Sequence, residues 1–128
     1  MNTDSYVRKV QEASVDLDSE AKVFSASEAV LSVLSHRITE GQAATLADQL
    51  PEALGSAVTR ADGDADGFGV GTFVDRVSDR EESMGDLDPS QAPTHVRAVL
   101  SALSDELQHE EWTDAVSQLP PEYGELYA

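Results

Sequence analysis

The residues best spaced for chemistry are three acids in the run Asp62-Gly63-Asp64-Ala65-Asp66-Gly67. Acids at positions 1, 3 and 5 with glycine at 6 form the front half of an EF-hand-type calcium loop. Alternate carboxylates converge on a hard cation, and the glycine permits the sharp turn. The back half departs from the pattern. Position 12 is Phe73, not a bidentate acid, position 8 is Gly69, not an aliphatic residue, and Asp75 comes two residues late. An Asp/Gly linker also arises readily in an acid-rich chain. Asp62, Asp64 and Asp66 are thus the one candidate metal site, for calcium, set against the leading expectation of a plain linker and no cofactor.

Three histidines, His36, His95 and His109, offer a second kind of chemistry. None forms an HExxH or other close ligand pair. His109 lies four residues after Asp105, a spacing that lets two side chains pair on a helix flank. With no cysteine in the chain, disulfides, thiolate metal sites and cysteine nucleophiles are excluded. No Gly-x-Ser-x-Gly elbow, Walker loop or dinucleotide fingerprint occurs. The glycine-rich stretch 63–71 is too acidic to cradle phosphate. No nucleophile and no perturbing partner stands beside a histidine in the sequence, so the expectation is no catalytic residue and no enzyme.

The elements that must position these residues come as a duplication. Residues 29–58 and 98–127 superpose at an offset of 69 without a gap, and ten of the thirty positions are identical. Self-similarity of this kind fixes architecture before any local reading. Ala29-Val30-Leu31-Ser32 with Leu34-Ser35 recurs as Ala98-Val99-Leu100-Ser101 with Leu103-Ser104, and Gln49-Leu50-Pro51 recurs as Gln118-Leu119-Pro120. Upstream, Tyr6-Val7-Arg8-Lys9-Val10 is echoed by Phe73-Val74-Asp75-Arg76-Val77 at an offset of 67. His109 answers to Glu40, so that histidine is not a repeated feature. Ala43 answers to Trp112 and Leu54 to Tyr123, the small-opposite-large arrangement that interdigitating copies need.

Apolar periodicity predicts helices throughout. The first covers residues 4–14, with Asp4 as N-cap and Tyr6, Val10, Ala13 and Leu17 on one stripe. The second covers residues 20–37, with Val23, Val30, Leu34 and Ile38 inward. Thr39-Glu40-Gly41-Gln42 has the spacing of a capping box that opens the third. Pro51 sets a corner, because proline suits the start of a helix and not its interior. The serines beside the core leucines are expected to pack or bond back to their own helix. In the second copy Asp88-Pro89-Ser90-Gln91 reads as a helix start with Asp88 as N-cap. The organisation is one compact domain, with a first repeat at 1–59, an acidic Gly/Asp linker at 60–72 and a second repeat at 73–128.

In order and duplication these segments resemble the family known as domain of unknown function 2267. The likeness covers nearly the whole chain, and it implies an all-helical fold with the same internal duplication. It brings no activity that any residue here would inherit.

Charge bounds the surroundings. Twenty-five acids against eight lysines and arginines give a net charge of −17. A surface so acidic repels itself in dilute buffer, whereas at molar salt the screening length falls to about 3 Å. The acid-rich, lysine-poor, alanine-rich composition resembles that of cytoplasmic proteins of salt-in halophiles of the archaeal kind. A phosphate backbone would be repelled, which excludes direct nucleic-acid binding. No stretch approaches the roughly 18 apolar residues of a membrane span, and the polar, periodic N-terminal segment does not read as a leader.

The sequence therefore predicts an all-α bundle of two tandem homologous four-helix repeats about a pseudo-two-fold axis. The leading function is a non-enzymatic interaction or regulatory module in a halophile cytoplasm, with a protein partner. The alternative is a small-ligand or calcium binder, using the cleft between repeats or the loop at 62–67.

Overall fold

The computed structural model describes residues 2–59, 69–116, 119, 123 and 124. Among them there are seven α-helices and no strand: α1 (Thr3–Ala13), α2 (Glu20–Ser35), α3 (Glu40–Ala47), α4 (Glu52–Val58), α5 (Val70–Met84), α6 (Ala92–Glu106) and α7 (His109–Val116). None is long and apolar enough to cross a membrane. The expected all-helical class is what the chain adopts.

Helix boundaries follow from local hydrogen bonding. The cap of α1 is Asn2, not Asp4: the Asn2 side-chain carbonyl accepts from the Ser5 amide at 2.9 Å. Asp4 instead lies in the first turn, where its charge complements the helix dipole. Ser19 caps α2 by accepting from the Lys22 amide. At α3 only half of the expected capping box forms. Thr39 Oγ1 accepts from the Gln42 amide at 3.3 Å, but the Gln42 side chain turns away and donates to the Asp114 carbonyl of α7 at 2.7 Å. A tertiary bond replaces the local one, so Gln42 ties α3 to α7.

The corner at Pro51 is present, with the proline one place earlier than the first turn. It is the N-cap of α4, held extended, and its carbonyl accepts from the Leu54 and Gly55 amides. Gly55 permits the tight α3–α4 approach, since a Cβ there would sit 3.1 Å from the Ala47 carbonyl oxygen. Helix α5 begins at Val70, inside the stretch read as linker, and ends at Gly85, whose φ of +81° favours glycine. Asp88 caps as expected, accepting from the Ser90 amide and hydroxyl, but it opens a 3₁₀ turn, Pro89–Gln91, before α6 begins.

Two helices are central. Ten residues of α2, from Val23 to Ser35, are buried, and α6 buries eight, from Ala92 to Leu103. A helix apolar on most of its circumference belongs in the middle of a bundle. Around them α1 packs along α6, α5 along α2, α4 on α2, and α3 on α7. Tyr6, Phe73 and Tyr123 are fully buried, and the Phe73 and Tyr123 rings meet edge to face with centroids 5.6 Å apart.

Candidate functional site

The only histidine held in the core is His95, on the first turns of α6, with no exposed surface. Its Nδ1 lies 2.7 Å from Glu81 Oε2 on α5, and its Nε2 lies 2.6 Å from Asp16 Oδ2 in the α1–α2 connection. Glu81 is also fully buried. Asp16 is partly exposed and is fixed by Ser14, whose hydroxyl donates to Oδ1 at 2.5 Å. Ser14 is itself the buried C-cap of α1. Three segments thus meet at one imidazole.

Two carboxylate oxygens facing two ring nitrogens fit a ring protonated on both, because each nitrogen must then donate. Burial alone would lower the His95 pKa. The hydrogen bonds to Glu81 and then to Asp16, with their charges, outweigh it and hold the pKa above the ordinary imidazole value. For Asp16 burial acts upward, but the bonds from Ser14 and His95 prevail and keep its pKa below the usual carboxylate range. One imidazole serves two carboxyl groups, and Glu81 Oε1 has no hydrogen-bond partner.

This closes the cluster chemically. A general base needs a free lone pair near solvent, and both His95 nitrogens are engaged. A metal needs ligands that converge on one point, whereas His95 presents each nitrogen to a different acid. Among the described residues no group of three such side chains is arranged to hold a metal ion.

The other two histidines are exposed: His36 is the C-cap of α2 and His109 the first residue of α7. Asp62, Asp64 and Asp66 lie outside the described residues. Of the repeated serines, Ser35 bonds back to the Ser32 carbonyl at 2.5 Å, as expected.

Sequence reasoning found no perturbing partner for any histidine, and His95 corrects that. Its partners stand 14 and 79 residues away, beyond any local motif. A signal did exist in the duplication. At the repeat offsets His95 answers to Ala26 and Glu81 to Ser14. An acid and a base entering together at small, buried positions point to a contact.

Hollows in the surface lie apart from the His95 cluster. A pocket of about 220 Å³ is lined by Ser35, Ile38, Glu40, Ala43, Val58 and Thr59, mixing small and apolar groups with one exposed acid. A groove of about 260 Å³ lies between α2 and α5.

A family model described as Uncharacterized conserved protein (DUF2267) matches residues 3–126. The match spans nearly the whole chain, and the chain belongs to that family. The comparison with curated proteins gives no match.

Proposed function

We propose that the chain is a non-enzymatic helical interaction module of a salt-rich cytoplasm, built from two tandem repeats about a pseudo-two-fold axis. The observation that carries it is the closure of the His95 cluster. The one buried histidine among the described residues has both ring nitrogens committed and no exposed surface. Its chemistry is that of a crosslink between α5, α6 and the α1–α2 connection, and a crosslink turns over no substrate.

The tandem-repeat reading has support of its own. Exchanging α1, α2 and α3 for α5, α6 and α7 maps the α1–α6 packing onto α5–α2, and maps α3–α7 onto itself. Helices α3 and α7 begin at Glu40 and His109, 69 residues apart, the offset of the sequence repeat. The solvent reading rests on the charge of −17. Among the described residues Val15 is the one large apolar side chain left exposed. A partner of such a surface reads charge rather than an apolar face.

Histidine acylation by diethyl pyrocarbonate, followed by peptide mapping, tests the closure. His36 and His109 are expected to react in the native protein, and His95 only after unfolding. Reaction of native His95 at the rate of the other two would reopen the acid–base reading and overturn the proposal. The alternative, a small-ligand binder, is favoured by one observation, the chemistry of the α2–α5 groove.

A further inference from the structure

The α2–α5 groove has a counterpart across the molecule. It is lined by Val33, His36, Arg76, Asp79 and Arg80. A second groove, of about 290 Å³ between α1 and α6, includes Lys9, Glu12, Ala13, Ala102 and Asp105 in its lining. At the repeat offsets these are the same positions. Lys9 answers to Arg76, Glu12 to Asp79 and Ala13 to Arg80 at 67; Ala102 answers to Val33 and Asp105 to His36 at 69. The backbone places one groove twice, and the side chains give the two copies opposite character.

In the α1–α6 groove Lys9, the one cation among the described lining residues, is already neutralised. Lys9 Nζ donates to Glu106 Oε2 at 2.6 Å, and Glu12 and Asp105 add negative charge. In the α2–α5 groove an arginine replaces Ala13, a histidine replaces Asp105, and Arg37 stands at the position of Glu106. Arg37 is buried with its guanidinium 5.6 Å from the centre of the Tyr123 ring. Among the described residues, two arginines, a histidine and one acid, Asp79, line this hollow. Arg80 Nε is buried and has no hydrogen-bond partner. A buried guanidinium N–H without an acceptor carries a desolvation cost, and a planar donor fork matches an oxyanion better than any neutral acceptor.

We propose that the α2–α5 groove is a binding site for a small oxyanion, a phosphate group held by Arg80 with His36 at the rim. The volume sets the size of the ligand. The groove exceeds the ~30 Å³ share of one water many times over, yet lies below the ~300–1,000 Å³ typical of drug-sized ligands. It suits free phosphate or a short phosphomonoester, and the two sources share the chemistry that Arg80 would read. The site is independent of the interaction module proposed above, because neither His95 nor any partner surface enters it.

Titration of the full chain with inorganic phosphate in potassium chloride, followed by NMR of the arginine Nε–Hε signals, tests the site. The Arg80 signal is expected to shift saturably, with Kd in the millimolar range, while the backbone amide of Lys9 in the opposite groove, read in the same ¹H–¹⁵N spectrum, stays unmoved. A parallel titration with glycerol 1-phosphate separates the sources: tighter binding assigns a phosphomonoester, and equal binding assigns free phosphate. Arg80→Ala and His36→Asp install the residue types that the α1–α6 groove already carries, so both are expected to fold by circular dichroism. Each is expected to weaken binding at least about tenfold. Shifts linear in phosphate, equal shifts at Lys9, or unchanged affinity in folded Arg80→Ala would overturn the proposal.

Discussion

The two halves of this molecule solve the same packing problem with different buried polar pairs. In the first half the Tyr6 hydroxyl bonds Ser27 Oγ, and Ser27 in turn donates to the Val23 carbonyl at 2.7 Å. At the repeat offsets the second half has Phe73 and Val96, with no polar atom in either side chain. The second half buries Glu81 against His95, where the first has Ser14 and Ala26. In each case both partners change together. A buried polar group left alone costs about 1–3 kcal/mol, and a buried charge more, so losing one member of a pair is expected to be costly. The difference also separates a neutral device from an ionisable one. Burial pushes the Tyr6 pKa up, only partly opposed by Ser27, so that hydroxyl stays a neutral donor at any physiological pH.

The largest expected effect comes from breaking the ionisable pair. His95→Ala strands Glu81 in the core, and loss of one partner of a buried pair costs about 3–5 kcal/mol. Adding Glu81→Ser gives the second half the residue types of the first. The double variant is expected to recover part of that loss, since the cavity remains but the buried charge is gone. Urea unfolding in potassium chloride measures both. A cost below about 1 kcal/mol for His95→Ala would contradict a buried, paired charge.

The same variants carry the pH test. The groups facing His95 are Glu81 from α5 and Asp16 from the α1–α2 connection, with Asp88 near enough to add its charge. The folded His95 pKa is raised, so its stabilisation is complete below the ordinary imidazole value of about 6.5 and is lost as pH climbs through the folded value. The Asp16 pKa is lowered, so its share is present above about 3.9 and is lost as pH falls through the folded value. The bridge is strongest between those limits. Tm of the native chain is expected to decline above neutrality more steeply than Tm of the double variant. General acid repulsion is shared by both, so parallel curves would remove the cluster as the cause.

The contrast also explains what the sequence could and could not reveal. Helices α1, α2, α3 and α6 were legible because Val10, Val30, Leu46 and Leu103 recur at helical spacing, and burial follows that spacing directly. The corner at Pro51 was legible because proline acts locally. Gln42 was misread because its amide found Asp114 across the interface instead of its own helix end. The His95 cluster was hidden for the same reason: its three members meet only after α5, α6 and the α1–α2 connection have packed. Composition reports charge but not where charges converge, so nothing local in an acidic chain marks the arginines of the α2–α5 groove.

A smaller effect tests the neutral pair. Tyr6→Phe removes a buried donor while Ser27 keeps its bond to the Val23 carbonyl, so the expected cost is about 1 kcal/mol. Pairing it with Ser27→Val reproduces the residue types of Phe73 and Val96 and is expected to cost less than the sum of the two single changes. Thermal unfolding of the four proteins gives the coupling. Strict additivity would mean that the two side chains do not depend on each other.

The smallest effect lies at the surface. Glu106 accepts from Lys9 Nζ at 2.6 Å, from Ser5 Oγ at 2.9 Å and from the Asn2 amide at 3.3 Å, fastening the start of α1 to the end of α6. The Lys9 bond, followed by the others, holds the Glu106 pKa below its ordinary value. The Glu106 carboxylate is largely covered but Lys9 remains a third exposed, and pairs with one member open to water contribute only about 0.2–1 kcal/mol. Lys9→Met keeps the apolar stem and deletes the charge, so the loss is expected to stay within that range and to shrink as salt rises. The whole chain should move the other way. At about 0.01 M ionic strength the screening length is about 30 Å, so acids across much of the molecule repel one another; by about 1 M it is near 3 Å. Tm of the native chain is therefore expected to rise with potassium chloride, with most of the electrostatic gain complete by about 1 M, while the difference between native and Lys9→Met narrows. Attraction at one bridge and repulsion over the surface are screened by the same ions, so the two trends must have opposite signs. A native Tm flat from about 0.05 to 3 M would remove the salt-rich cytoplasm from the proposal. The −17 charge would then require a basic partner to account for it.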